Sequence, residues 1–228
     1  MNSINFVSAI TEDRCGSSAA LEDALFAILL ASGFSRRFGD ENKLLVPFQG
    51  MPLARHTLDL VLSMKVWRGV FFVCADGRVA ALASEAAAPD GPPLEVIRNN
   101  APEKGRRESV RLGVAAALQA ASCPAPSGAG NAYYAFFPCD QPFLNAATVQ
   151  RVLDARRPGC IAEARFHGKP GNPAVFSDFF RNELLTLEEG ETPKHIKHRH
   201  SGRIIPVELP SARPLLDIDS RQDLRDMA

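Results

Sequence analysis

The sequence of 228 residues predicts an α/β fold, in which a mainly parallel sheet carries helices on both faces. Short apolar runs of strand length recur along the chain, and segments with helical spacing of their apolar residues follow them. Glycine and proline residues separate these segments. Such an alternation is typical of parallel strands that are joined by crossover helices.

The first part of the chain supplies the regular portion of this alternation. The run at 25–31 has the length and apolarity of a strand that is buried on both faces. Pro52 favours the first turn of the helix that follows it. The predicted strands are 25–31, 69–75, 94–97 and 133–138, and the predicted helices are 53–64, 79–88, 106–121 and 146–155.

The alternation of strands and helices becomes irregular after Gly159, where glycine and proline interrupt short apolar stretches. Strands at 160–166 and 173–176 predict a small antiparallel excursion from the parallel sheet. We expect these strands to form a lobe that leaves the main sheet and closes over the ligand-binding site. The remaining predicted elements are a helix at 177–187, strands at 204–209 and 215–219, and a final helix that is capped by Ser220.

Composition limits the classes of function. The 26 basic and 26 acidic residues give a formal net charge of zero, so no overall field favours nucleic acid or an anionic membrane. Five cysteines without paired spacing suit a reducing, cytoplasmic environment. We expect a flexible tail over 1–22, where polar residues break every apolar stretch, and one domain over 23–228.

A loop rich in small and positively charged residues follows the first strand. Its glycines allow backbone amides to approach a ligand, and its arginines and lysine add positive charge, which together favour a polyphosphate. Lys43 lies four residues beyond Gly39, so the loop is not a P-loop, and the glycine pattern of dinucleotide-binding folds is missing. A basic surface turn is the structural alternative. The residues concerned are Ala31, Ser32, Gly33, Ser35, Arg37, Gly39 and Lys43.

A second candidate position is Asp140, which follows the strand predicted at 133–138. The carboxyl ends of parallel strands form the ligand-binding edge of an open sheet, and a carboxylate beside a triphosphate is most simply a Mg²⁺ ligand. A turn or helix-capping role is the alternative for this residue, because Pro142 follows it closely.

These motifs and their order resemble the nucleotidyltransferases of the molybdenum cofactor family. The first loop matches the pattern Leu-Ala-(Ala/Gly)-Gly-x-Ser-x-Arg-x-Gly followed by Lys, with Ser32 in place of Ala or Gly. The segment 42–53 is most similar to the cytidylyltransferase branch, and Asp140-Gln-Pro142 matches an Asp-x-Pro metal-binding motif. The resemblance implies a Rossmann-like nucleotidyltransferase fold over 23–228, with Mg²⁺ as cofactor.

The resemblance also assigns roles to three groups of residues. One group borders the nucleotide base, for which a solvated helix start is the alternative. Another contacts the pterin portion of the molybdopterin substrate, for which a turn between strands is the alternative. The third completes the metal site, or else ends a strand and caps the last helix. The matched sets are Asn100, Gly105 and Ser109 for the base, Gly171, Asn172 and Pro173 for the pterin side, and Asp140 with Asp219 or Asp217 for the metal.

By this resemblance, CMP moves from CTP to the phosphate of molybdenum-molybdopterin, which gives the molybdopterin cytosine dinucleotide cofactor and pyrophosphate. Arg37 and Lys43 would hold the triphosphate and stabilise the departing pyrophosphate, and Asp140 would hold Mg²⁺. A phosphate monoester has a second pKa near ~6, so the nucleophile is already ionised and no general base is required.

Other functions are compatible with the same residues. The fold also suits a molybdopterin guanylyltransferase or a cytidylyltransferase for another small phosphate, and a protein of a different class would carry the cofactor to a molybdenum hydroxylase. The three histidines within 194–200 are interleaved with lysine and arginine, which disfavours a metal site. We interpret that segment as a solvated helix face, with a basic surface near the anionic molybdopterin as the alternative.

Overall fold

A computed structural model of the protein describes residues 23–33, 38–39, 41–122 and 131–227, so the tail expected over 1–22 lies outside it. The strands in these residues are β1 (Ala24–Ala31), β2 (Pro47–Phe48), β3 (Met51–Pro52), β4 (Gly69–Cys74), β5 (Leu94–Arg98), β6 (Ala132–Pro138), β7 (Ile161–Phe166), β8 (Lys169–Ser177) and β9 (Ile204–Glu208). Seven of them form one sheet in the order β5-β4-β1-β6-β8-β7-β9, and β2 pairs separately with β3.

Helices cover both faces of the seven-stranded sheet. The described α-helices are α1 (Leu53–Ser63), α2 (Gly77–Glu85), α3 (Arg106–Ser122), α4 (Ala146–Asp154), α5 (Arg181–Leu185), α6 (Pro193–Arg199) and α7 (Arg221–Met227). Buried side chains of α1, α2 and α4 pack on one face, and those of α3, α5 and α6 pack on the other. None of these helices is long and apolar enough to cross a membrane. The predicted α/β class is confirmed.

β1 is an interior strand of the sheet, because all of its side chains are apolar and it can be buried on both faces. It pairs in parallel with β4 and β6. Phe26 and Ile28 pack in the cluster that contains α3, and Leu29 packs in the cluster on the opposite face. A Cβ atom at Gly113 in α3 would lie 2.4 Å from Ile28 Cγ2, so the close approach of α3 to β1 requires glycine.

The segment after Gly159 does not form the separate lobe that the sequence predicts. β7 and β8 form a hairpin through His167 and Gly168, whose φ angles of 49° and 74° suit a tight two-residue turn. β8 then pairs antiparallel with β6, so both strands of the hairpin belong to the main sheet. The antiparallel component of this sheet is therefore the single strand β8.

Residues 215–219 do not form the predicted strand. They leave a 3₁₀ turn over Arg213–Leu215 and cross the carboxyl edge of the sheet without pairing as a strand. The backbone N–H of Ile218 donates to the carbonyl oxygen of Asp140 at 2.9 Å, and this bond holds the segment beside the end of β6. The crossing segment thus takes part in the site rather than in the sheet.

The elements around this segment differ in how well they follow the prediction. The helix predicted at 177–187 is divided into a 3₁₀ turn over Asp178–Phe180 and the short α5. The final helix begins after Ser220 as predicted. The hydroxyl of Ser220 accepts from the backbone N–H of Asp223 at 3.2 Å, and the Asp223 carboxylate accepts from the backbone N–H of Ser220 at 2.7 Å.

Candidate active site

The carboxyl edge of the sheet gathers residues from distant parts of the chain. β1 and β6 are neighbours in the sheet, and they end at Ala31 and Pro138. Ser32 and Gly33 continue from β1, and Asp140 lies in the turn that follows β6. Two adjacent parallel strands therefore bring the first loop and the Asp140 motif to the same edge, as the sequence predicts.

Lys43 lies at the centre of this edge. Its Nζ atom is 2.7 Å from Asp140 Oδ2 and 2.9 Å from Asp219 Oδ1, and it donates to the carbonyl oxygen of Ile218 at 2.9 Å. Burial alone lowers the pKa of Lys43, but the charges and hydrogen bonds of Asp140 and Asp219 outweigh it and raise the pKa. The ammonium group is thus an internal counterion for two carboxylates.

Three carboxylates converge around this lysine. Asp140, Asp217 and Asp219 each place an oxygen within 4.8 Å of the others. Burial, and then the charge of Asp140, raise the pKa of Asp217. Asp140 Oδ1 is buried and has no hydrogen-bond partner among the described residues. An orphaned carboxylate oxygen in a cluster of hard oxygen donors fits a divalent cation such as Mg²⁺ or Mn²⁺.

The first cavity, of about 510 Å³, opens beside this cluster. Pro102 and Arg106 line it, although no sequence pattern indicated them. Gly105 has a φ of 75°, a conformation that favours glycine, and it leads the chain into α3. The residues predicted from sequence that line the first cavity are Ser32, Gly33, Lys43, Gly105, Ser109, Asp140 and Asp219.

The asparagine pair after β5 is arranged differently from the prediction. Asn100 is exposed and does not line the first cavity. Asn99 is buried: its Nδ2 donates to Ser109 Oγ at 3.2 Å, and its Oδ1 accepts from the backbone N–H of Ala101 at 3.0 Å. The neighbour of the predicted residue therefore orients a hydroxyl that lines the cavity.

The other residues of the first loop lie elsewhere. Ala31 and Gly39 line an adjoining cavity of about 340 Å³, and Gly39 has a φ of 72°. Ser35 and Arg37 fall outside the described residues, so their roles stay predictions. The structure therefore brings together part of the predicted phosphate loop.

The second cavity, of about 580 Å³, lies on the other side of Asp140. It extends along the sheet face that carries α6. Leu30, Arg106, Pro138 and Asp140 line both the first and the second cavity, so these residues form a shared wall. A molecule in either cavity can reach Asp140.

The predicted pterin-side residues lie at the second cavity. Gly171 and Asn172 line it, and Pro173 follows them in β8 outside the lining. A Cβ atom at Gly171 would lie 2.8 Å from Leu215 Cδ1. Glycine at this position therefore lets the crossing segment approach β8 and close one side of the cavity.

Charged side chains from β7 and α6 also line the second cavity. Glu163 is buried, and its Oε1 accepts from Arg165 Nε at 2.8 Å while its Oε2 accepts from Lys197 Nζ at 2.6 Å. Lys194 joins them from the first turn of α6. The segment predicted as a solvated helix face thus presents lysines to the cavity. The one sequence signal was a pair of opposite charges, Glu163 and Arg165, in a strand whose other side chains are small or apolar.

The fold is that of a nucleotidyltransferase domain. The chain belongs to the family of MobA-like NTP transferase domains, whose model matches residues 27–204. No curated protein sequence matches the chain.

Several solved structures share the fold. The Rv0371c protein of Mycobacterium tuberculosis H37Rv is 24% identical, with a TM-score of 0.66 over 90% of this chain and 97% of that chain. A structure of Rv0371c in complex with manganese is 23% identical, with a TM-score of 0.63 over 90% and 97% of the two chains. A nucleotidyl transferase from Methanothermobacter, Mth528, is 20% identical, with a TM-score of 0.67 over 90% and 95%.

Proposed function

We propose that this nucleotidyltransferase moves CMP from CTP to the phosphate of molybdenum-molybdopterin and releases pyrophosphate. The observation that carries the proposal is the position of Asp140 in the wall shared by two cavities, beside Lys43 and two further carboxylates. The sequence over 42–53 supports the cytidylyl branch, and the lysines of the second cavity suit an anionic acceptor.

In this proposal the first cavity holds CTP. The backbone amides from Ser32 to Gly39 cradle the triphosphate, and Arg37 and Lys43 stabilise the pyrophosphate as it departs. Gly105 and Ser109 border the base. The sequence suggested that Asn100 also borders the base; in this proposal its buried neighbour Asn99 instead orients the Ser109 hydroxyl through its side-chain amide.

We propose that Mg²⁺ is held by Asp140, with Asp219 and Asp217 completing the set. When bound, the metal neutralises charge on the phosphates during transfer. The buried, unpartnered Oδ1 of Asp140 supports this assignment. The manganese complex of the Rv0371c protein supports a divalent cation in this fold.

The acceptor occupies the second cavity, where Gly171 and Asn172 contact its pterin side in this proposal. Its phosphate, with a second pKa near ~6, is already ionised at neutral pH, so no side chain acts as a general base. The phosphate oxygen attacks the α-phosphorus of CTP from the second cavity, and pyrophosphate leaves on the side of the first. The residues of this chain contribute positioning and charge neutralisation.

Ser32 carries the proposed preference for CTP. Its side chain narrows the space for a purine. Its hydroxyl donates to the carbonyl oxygen of Val73 at 3.2 Å, and the hydroxyl oxygen can still accept a hydrogen bond from the base. Competition kinetics with CTP and GTP test this: we expect a higher kcat/KM for CTP, and a smaller preference in Ser32→Gly with catalysis retained. A wild-type preference for GTP would refute cytidylyl transfer and leave nucleotidyl transfer standing.

Pyrophosphate release separates this enzyme from a carrier that delivers the cofactor to a molybdenum hydroxylase. With CTP, Mg²⁺ and molybdopterin present, we expect one pyrophosphate for each dinucleotide that forms. Replacing molybdopterin by another small phosphate is the control for acceptor identity. Tight binding of molybdopterin without pyrophosphate release would favour the carrier.

A further inference from the structure

Glu163 is the one charged residue in the buried class among the described residues, with a relative exposure of 1%. Along β7 it alternates with Ala162 and Ala164, which pack on the opposite face. Burial of a carboxylate is costly, and an apolar side chain of similar volume commonly serves stability as well or better. Its position at the second cavity therefore points to a role in binding.

The partners of Glu163 are two cations that also reach the second cavity. Lys197 and Arg165 both line it, with side chains 13% and 27% exposed. An ammonium group carries three donors and a guanidinium group five, so each has donors to offer a ligand while it bonds the carboxylate. The carboxylate thus fixes the two cations and leaves them facing the cavity.

Glu163, which Lys197 contacts, lies well away from the reacting centre. Glu163 is opposite Ala174 in β8, and Ala174 is opposite Phe136 in β6, four residues before Asp140. Two strand spacings of about 4.8 Å and four residues of about 3.3 Å place the Cα atom of Glu163 roughly 16 Å from that of Asp140. A short phosphate ester at Asp140 would therefore not reach Lys197, whose Nζ atom lies 2.6 Å from Glu163 Oε2.

We propose that Glu163 is a positioning residue that holds Lys197 and Arg165 as the binding site for a second oxygen-rich group of the acceptor. This inference rests on the proposed function, in which the acceptor lies in the second cavity. The group has hydrogen-bond-accepting oxygens, carbonyl or anionic, at the end of the acceptor opposite to its attacking phosphate. The site thereby selects long, two-ended acceptors over short phosphates.

Lys197→Met tests the binding site, with Arg199→Met as the matched control. Arg199 lies on the same helix, pairs with Glu183 and Glu191, and does not line the second cavity. We expect the KM for molybdopterin to rise about tenfold or more in Lys197→Met, with the KM for CTP unchanged. Equal KM values for molybdopterin in the two variants would overturn the proposal.

Glu163→Gln tests the positioning role. Its amide cannot accept from both cations, so we expect the KM for molybdopterin to rise about tenfold at an unchanged KM for CTP. Glu163→Gln should also lower the melting temperature, because the mostly buried Lys197 ammonium loses its carboxylate partner. The double variant Glu163→Gln/Lys197→Met removes that ammonium, so its melting temperature should rise again while its KM for molybdopterin stays high. An unchanged or lower KM for molybdopterin in Glu163→Gln would overturn the role of Glu163.

Binding of inorganic phosphate supplies a test that does not depend on molybdopterin. Phosphate is titrated by calorimetry into protein saturated with Mg²⁺ and a non-reacting CTP analogue. We expect weaker binding, by about fivefold or more, in Lys197→Met than in wild type or Arg199→Met. If the wild type fails to modify molybdopterin but this difference appears, the proposed acceptor is wrong, whereas the role of Lys197 in binding an anionic group in the second cavity stands. Identical phosphate affinities in all three proteins overturn the inference.

Discussion

The two cavities that meet at Asp140 are built by different means. The first is lined by small side chains and loops that follow the ends of strands, such as Ser32, Gly33 and Gly105. The second is lined by long charged side chains from the interior of β7 and from α6. Loops at strand ends can be recognised in the linear sequence, whereas a cluster across β7 and α6 exists only once the strands have paired.

Asp140→Asn changes the residue that lines both cavities and is therefore expected to have the largest effect. We expect turnover to fall by on the order of 10²-fold or more, because a neutral amide is a poor ligand for Mg²⁺. The melting temperature should change little. Asp76→Asn in the adjoining cavity is the matched control, since Asn also caps a helix well. Turnover close to that of the wild type at saturating Mg²⁺ would contradict the metal assignment.

Lys43→Met separates the first cavity from the metal site. We expect turnover to fall by roughly 10-fold to 100-fold, because the triphosphate loses a fixed positive charge. Affinity for Mn²⁺ without nucleotide should rise, since the ammonium no longer competes for Asp140 and Asp219. Electron paramagnetic resonance titrations measure that affinity, with the exposed Lys65→Met as control. Unchanged or weaker Mn²⁺ binding would show that the lysine and the metal do not compete.

Gly113→Ala tests how far the first cavity depends on the close packing of α3 against β1. The added methyl group would meet Ile28, so we expect a loss of about 1–3 kcal/mol in the free energy of unfolding. Because α3 carries Ser109, the KM for CTP should rise more than the KM for the acceptor. Denaturant unfolding measures the stability, and Gly202→Ala, with open space at its Cβ, is the control. Equal stabilities of the two variants would contradict the packing argument.

Asp217 gives the smallest expected effect. Burial, and then the charge of Asp140, raise its pKa in the folded protein above the ordinary value of 3.8. The folded state therefore holds this proton more tightly, and stability is lost as the pH rises from 3.8 through the folded pKa. In a metal chelator, Asp217→Asn should slightly raise the melting temperature at pH ~7 and leave it unchanged at pH ~3. Asp226→Asn on α7 is the control. A lower melting temperature of Asp217→Asn at neutral pH would contradict the expected direction.

The sequence was sufficient for much of the fold and for part of the site. Some site residues could be predicted because they lie in segments that follow an apolar strand, and parallel strands bring such segments to one edge of the sheet. These residues are Ser32, Gly33, Lys43 and Asp140. The same reasoning could not place Asn100, since a shift of one residue decides which asparagine of the pair is buried.

Long-range pairing accounts for what the sequence did not predict. The glycine and proline residues between 168 and 173 indicated a break, whereas pairing with β6 and β7 extends them into one strand. Residues 215–219 have the apolar alternation of a strand, but Ile218 packs against the β2–β3 hairpin region and its neighbours turn toward Lys43. The partners of Glu163 come from two elements whose contact no local pattern encodes.

The wall that the two cavities share also bears on how the reaction ends. Under the proposed function, a dinucleotide formed at Asp140 would have its cytidine half in the first cavity and its pterin half in the second, because Asp140 lines both. Each half would hold the other at a high effective concentration, so the bivalent product would dissociate far more slowly than either substrate. If the proposed reaction takes place here, release of the product would therefore be slower than release of either substrate, and a recipient protein that binds one half of the product would speed that release.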